Sequence, residues 1–232
     1  MAETKYCISL EDVKEAASRI KGTAHITPVL TSQSLIQNGK SYFFKVEALQ
    51  KTGSFKFRGA LNAVRAELES DPTRSSLPVV THSSGNHAQA LALAAKLSTS
   101  DTTKVAATIV MPMGAPAVKK AAVADFGATI VEVENTNQAR SEKAKEIVEA
   151  TNAVFIHPSE NPKVIAGQGS VSLEMVAQIR ELGAELDAII IPVGGGGLAA
   201  GNTIALRGLL GDKIKVRRQP KNGSSRHHPA FV

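Results

Sequence analysis

The amino-acid sequence predicts an α/β protein built on parallel, doubly wound sheets, and two observations carry that prediction. Apolar runs of strand length alternate with stretches of helical length from about residue 42 to 216. The runs themselves, such as KVAATIVMP (104–112) and LDAIIIPV (186–193), are continuous rather than alternating, as expected of strands covered on both faces. Regular strand–helix alternation then gives parallel pairing through crossover helices.

Taken in order, LEDVKEAASRIK (10–21) has helical spacing, with Ser9 as N-cap and Glu11 and Asp12 in the first turn. HITPVLTS (25–32) reads as a turn and a short extended piece. SYFFKVEAL (41–49) is a strand candidate, Phe44 and Val46 alternating with Lys45 and Glu47. GSFKFRGALNAVRAEL (53–68) turns into a helix at or just after Lys56. LPVVTHSS (77–84) is an apolar strand ending in a polar loop, and GNHAQALALAAKL (85–97) is an Ala- and Leu-rich helix. After the strand at 104–112, APAVKKAAVADFG (115–127) is a helix stopped by Gly127. ATIVEVE (128–134) is a strand, NQARSEKAKEIVEAT (137–151) a charged helix, and AVFIHP (153–158) a strand. VIAGQGSVSLEMVAQI (164–179) reads as a loop and then a helix. Beyond the strand in 186–193, GGGGLAAGNTIALRGLL (194–210) is a glycine loop opening a helix, and KIKV (213–216) starts another strand.

Composition narrows the class. The chain of 232 residues has no Trp, so its core rests on Ala, Val, Leu and Ile. The single cysteine, Cys7, gives neither a disulfide framework nor a zinc site. The N-terminus has acidic residues and no long apolar run, so it reads as neither a secretory nor a transit signal, and no stretch has membrane-spanning length. Cytoplasm is the expected compartment. The net charge is +6, but Arg217, Arg218, Lys221 and Arg226 fall in a stretch without acids; setting them aside leaves 23 basic against 21 acidic side chains. A nearly neutral body without a basic stripe argues against nucleic-acid binding.

Three segments carry chemistry. Lys56 stands between Phe55 and Phe57 with Gly53 and Gly59 nearby. A lysine in apolar surroundings loses its proton more readily, as a Schiff-base lysine must. Ser83-Ser84-Gly85-Asn86-His87 joins a strand to a helix, so its backbone N–H groups suit a carboxylate or other anion. It lacks the G-x-S-x-G elbow of serine hydrolases, and His82 and His87, five apart, are a poor metal pair. Gly194-Gly195-Gly196-Gly197 follows a buried strand and opens a helix, which makes a phosphate cradle. It has no Lys-Ser/Thr ending of a P-loop. Forced onto the dinucleotide pattern, it lacks the acidic residue expected some twenty positions on; phosphate binding ranks above dinucleotide binding.

Together, TPVLTS, FFKVEALQKTGSFKFRGA, VVTHSSGNHAQALALAAK, FGATIV, IHP, IAGQG and VPVGGGGLAAG resemble the fold-type II enzymes that use pyridoxal 5′-phosphate (PLP), in the branch of the serine racemases and serine/threonine dehydratases. The resemblance covers roughly residues 6–216. It implies two doubly wound parallel-sheet domains of the tryptophan-synthase-β-like type. The large domain would comprise 1–77 and 156–216 and be incomplete, and the small domain 78–155. Lys56 would be the Schiff-base lysine and the base on one face of the substrate Cα, with Ser84 the acid/base on the opposite face. Phe55 and Asn86 would flank the cofactor ring and its hydroxyl. Gly194, Gly195, Gly196, Gly197 and Leu198 would hold its phosphate, and Ser83, Ser84, Gly85, Asn86 and His87 would take the substrate carboxylate. The implied activity is racemisation of serine with β-elimination from serine and threonine, in a homodimer. The branch also binds ATP, at positions matching Ser32, Gln33, Lys51, Thr52 and Gln89.

This chain also departs from that pattern. The family's Mg²⁺ or Ca²⁺ ligands, a Glu and an Asp just beyond Val216, meet RRQPKNGSS here, and the Ser-Gly-Gly-Asn stretch that reaches the pyridine nitrogen is missing. No metal ligand is therefore assigned; His227 and His228 are poor substitutes. Residues 217–232 read as a tail foreign to the family, or else as a flexible terminus. The alternative to an enzyme is a non-catalytic form lacking the C-terminal part of the active site.

Overall fold

The computed structural model describes residues 6–36 and 39–220. His227, His228 and the rest of 221–232 lie outside the described residues. Helix α1 (Leu10–Ile20) opens with a capping box, Ser9 accepting from the Asp12 amide while Asp12 accepts from the Ser9 amide; such a cap contributes about 1 kcal/mol. Strands β1 (Val29–Thr31) and β2 (Phe43–Lys45) follow, then α2 (Lys56–Ser70), β3 (Ser76–His82), α3 (Asn86–Ser98) and β4 (Lys104–Pro112). Next come α4 (Ala117–Asp125), β5 (Thr129–Val133), α5 (Asn137–Thr151), β6 (Val154–Phe155) and α6 (Pro162–Glu181). The described chain closes with β7 (Ala188–Val193), α7 (Gly197–Leu210) and β8 (Lys215–Pro220).

The parallel expectation holds for two sheets. One is four-stranded in the order β5-β4-β3-β6, and the other pairs β7 with β8. Crossover helices cover the first sheet, and its core is mainly aliphatic: Leu77, Val79, Leu91, Ile109, Met111 and Ile156 are buried with Phe57 beside a row of alanines on α3. Each such large side chain contributes roughly 1.5–3 kcal/mol by leaving water.

Four local readings are corrected. First, β2 pairs antiparallel with β1 in a separate two-stranded ribbon rather than joining a parallel sheet. Second, the alternation along β2 is inverted. Phe44 is 45% exposed, whereas the Lys45 side chain is only 4% exposed because its ammonium donates to Glu174, Gln178 and the Thr27 carbonyl at 2.7–2.8 Å. Third, 164–179 contains no loop: α6 starts at Pro162, capped by the Asn161 side chain on the amides of Lys163 and Val164. Fourth, the strand begun in 213–216 runs on to Pro220, since backbone pairing with β7 is indifferent to the basic side chains there.

Helices α2, α6 and α7 pack where glycines let backbones touch. A Cβ on Gly167 would come within 2.6 Å of the Gly59 Cα, and one on Gly169 within 2.8 Å of the Gly201 carbonyl. Between α6 and α7 runs a buried polar seam: Asn202 donates to the Gln168 carbonyl (3.1 Å) and the Leu198 carbonyl (2.7 Å), and Ser172 donates to Asn202 (2.6 Å).

Candidate active site

Lys56 is the first residue of α2. The chain reaches it through Thr52 and Gly53, both with left-handed φ of +61° and +69°. For a β-branched residue such a φ is a strained conformation, and it turns the chain sharply before the helix. The Lys56 ammonium donates to the Pro158 carbonyl at 2.6 Å and lies 5.3 Å from the centroid of the Phe55 ring. Two residues on, the Arg58 guanidinium is fully buried between Glu47 and Glu174, which pins the first turn of α2 to α6 and to the segment after β2.

The turn that receives Lys56 also touches the glycine loop. Ser159 packs so closely that a Cβ on Gly195 would meet its Oγ at 2.5 Å, and one on Gly197 would meet its carbonyl at 3.0 Å. Gly196 takes a φ of +92°, and Gly194 is exposed with open space where a side chain would stand. Leu198 follows in the first turn of α7. Lys56 and the Gly194–Gly197 loop, 138 or more positions apart in sequence, are thus joined by Pro158 and Ser159. Sequence reasoning gave those two residues no role and ran the strand on to Pro158, whereas β6 ends at Phe155.

The Ser83–His87 loop lies at the C-terminal end of β3, tied down by the Ser83 amide on the Val110 carbonyl (3.1 Å) and by the Gly85 amide on Ser83 Oγ (3.3 Å). Ser84 is half-buried and Asn86 exposed. His87 differs: it is 2% exposed, and its Nε2 sits 3.2 Å from the Ile156 carbonyl. Burial, with Lys56 nearby, pushes its pKa down to about 3, so the ring is neutral and turned into the core. Of the ATP candidates, Lys51 and Thr52 lie where α3, which carries Gln89, packs on the Lys51–Gly53 turn. Ser32 and Gln33 lie at the end of β1, with Ser32 bonded locally to Ser34.

Comparison with known proteins gives the family. The family described as pyridoxal-phosphate dependent enzymes matches residues 20–228, and the chain belongs to that family. It is 45% identical over 219 residues to the serine racemase of Homo sapiens, covering 94% of this chain and 62% of that protein. The crystal structure of serine racemase from Dictyostelium discoideum superposes with a TM-score of 0.83 at 43% identity, over 94% of this chain and 67% of that one. A threonine deaminase from T.th. superposes with a TM-score of 0.79 at 40% identity, over 91% of this chain and 65% of that one. The chain therefore spans less than two thirds of the human relative's length.

Proposed function

We propose that this chain binds PLP on Lys56 and acts on serine as a racemase, with β-elimination from serine or threonine as a companion reaction. The observation that carries this reading is the Pro158–Ser159 turn, which brings the Lys56 ammonium (2.6 Å) and the glycine loop to one spot. The residues fit the cofactor: Gly194 and Gly195 are exposed, and a side chain at Gly195 would collide with Ser159. A phosphate would take the loop's backbone N–H groups at the start of α7, held by Gly194 to Gly197 and Leu198. When bound, PLP supplies an electron sink for negative charge at the substrate Cα.

The chain's own groups do the rest. Lys56 Nζ takes the Cα proton on one face. Ser84 Oγ returns a proton on the other, since inversion needs a donor and an acceptor on opposite faces. The Ser83–His87 backbone holds the substrate carboxylate, and Phe55 and Asn86 border the ring and its hydroxyl. The division into a 78–155 small domain and a larger one from 1–77 and 156–216 belongs to the same reading. So do an ATP site at Ser32, Gln33, Lys51, Thr52 and Gln89 and a cytoplasmic setting, whereas the family's Mg²⁺ or Ca²⁺ requirement and homodimer are not carried over to this chain, whose segment past Val216 lacks the carboxylates. Among the described residues no helix is long and apolar enough to cross a membrane.

The test is to add PLP to the purified chain and look for the visible absorption band of lysine-bound cofactor, with Lys56→Ala as control. A band lost in the variant is expected; no band in the unaltered chain overturns the proposal. Chiral analysis of serine and a pyruvate assay then separate racemisation from elimination. A folded chain that never takes up PLP would favour a non-catalytic role.

A further inference from the structure

The Pro158–Ser159 turn is itself held by one side chain. His157 Nδ1 accepts the backbone N–H groups of Ser159 (3.2 Å) and Glu160 (2.9 Å). A ring nitrogen that accepts carries no proton, so the neutral ring keeps its proton on Nε2, which lies 3.8 Å from the Glu160 carboxylate. The ring is wedged edge-on against His82 (centroids 5.6 Å, 84°) and Phe155 (6.0 Å, 65°), which fixes its orientation. The turn it closes presents the Pro158 carbonyl to Lys56 and Ser159 to Gly195 and Gly197.

We infer that His157, through an unprotonated Nδ1, is a positioning residue that couples the Lys56 end of the site to the glycine loop, and that a proton added to Nδ1 uncouples them. The inference rests on the PLP-binding reading above and assigns the group that keeps its two halves in register. A protonated Nδ1 becomes a donor facing two donors, so both turn hydrogen bonds are lost together.

The charged and titratable groups around His157 are Lys56 from α2, His82 from the end of β3, His87 from α3 and Glu160 from the turn itself, with Arg140 of α5 acting on His82. Burial lowers the His157 pKa below 6.5; His82 and Lys56 lower it further, and Glu160 opposes them. The cap is therefore intact at neutral pH and is lost only in acid.

Two measurements on the full chain test this. In the first, without PLP, the histidine nitrogens are followed by NMR as pH falls. An unprotonated Nδ1 and protonated Nε2 on His157 are expected, and the amide signals of Gly195 and Gly197 should move with the His157 titration. A protonated Nδ1 at neutral pH, or glycine signals indifferent to His157, overturns the inference whether or not the chain binds PLP. In the second, PLP affinity is titrated against pH by absorption. His157→Ala should bind about tenfold more weakly at neutral pH. His157→Asn, whose Oδ1 replaces Nδ1 and takes no proton, should stay within about threefold of the unaltered chain and lose the acid decline that tracks His157. His157→Gln, with its oxygen at the Nε2 position, should resemble Ala. An Ala variant binding normally, or an Asn variant keeping that decline, sinks the coupling. Failure of the unaltered chain to bind PLP at any pH sinks the proposed function instead.

Discussion

Arg58 and Glu174 meet through two parallel hydrogen bonds, Nη1 to Oε1 at 2.6 Å and Nη2 to Oε2 at 2.9 Å, with the guanidinium fully buried. Glu47 takes the remaining edge of the guanidinium (2.8 Å to each oxygen), and Lys45 approaches Glu174 from the other side. Burial raises the Glu174 pKa, but the hydrogen bonds from Arg58 and Lys45 outweigh it and hold the group below its ordinary value. The network is two cations and two carboxylates, each answered.

Removing one member strands the others. Arg58→Met is expected to destabilise the chain by about 3 kcal/mol, because it leaves two carboxylates in a pocket built for a cation. Arg58→Lys should recover only part of that, since one ammonium cannot serve both carboxylates in the forked geometry. Urea unfolding midpoints check both; an unchanged midpoint for Met would refute the role given to the network.

Gly167→Ala should be poorly tolerated. Its Cβ would come within 2.6 Å of the Gly59 Cα and 2.7 Å of the Arg58 carbonyl, and backbone cannot step aside as a side-chain tip can. A loss of about 1–3 kcal/mol is expected, together with weaker PLP uptake as the start of α2 shifts. Thermal unfolding and the absorption band measure the two effects separately.

Ser84→Ala should separate the two proposed reactions. Racemisation loses its second proton-transfer group and is expected to fall by about two orders of magnitude or more, while elimination, which needs Lys56, continues. Equal loss of both activities would remove Ser84 from the opposite face.

His87 makes stability depend on pH. Its pKa is lowered from 6.5 to about 3 in the folded chain, so between those values the unfolded chain binds the extra proton. The stabilisation is complete above about 6.5 and drains away as pH falls toward 3. By pH 5 the loss is about 2 kcal/mol. Urea titrations at several pH values should show this slope, and His87→Leu should reduce it, leaving the smaller share from His82 and His157, whose pKa values are also lowered by burial.

The helices and the parallel strands were legible because each is a local pattern: Ser9 before its acids, Gly127 with its positive φ, unbroken apolar runs between. The inversion at Lys45 was not, because its partners Glu174 and Gln178 lie 129 and 133 positions away and alternation along a three-residue strand cannot reveal them. The candidate site divides the same way. Lys56 and the glycine loop announce themselves by composition. His157 does not, since its effect comes from a ring nitrogen accepting from the next few amides, and a histidine after a strand looks the same whether or not it does so.

The seam of Asn202, Ser172 and Gln168 acts as a ruler. Sliding α7 by one helical turn along α6, about 5.4 Å, would break the bonds of the buried Asn202 amide and Ser172 hydroxyl together. Smaller slips are blocked by the Gly169–Gly201 contact. The span from the start of α2 to the start of α7, which under the proposed function a cofactor on Lys56 would bridge, is thereby set to a fixed gauge by the Asn202 amide and the paired glycines.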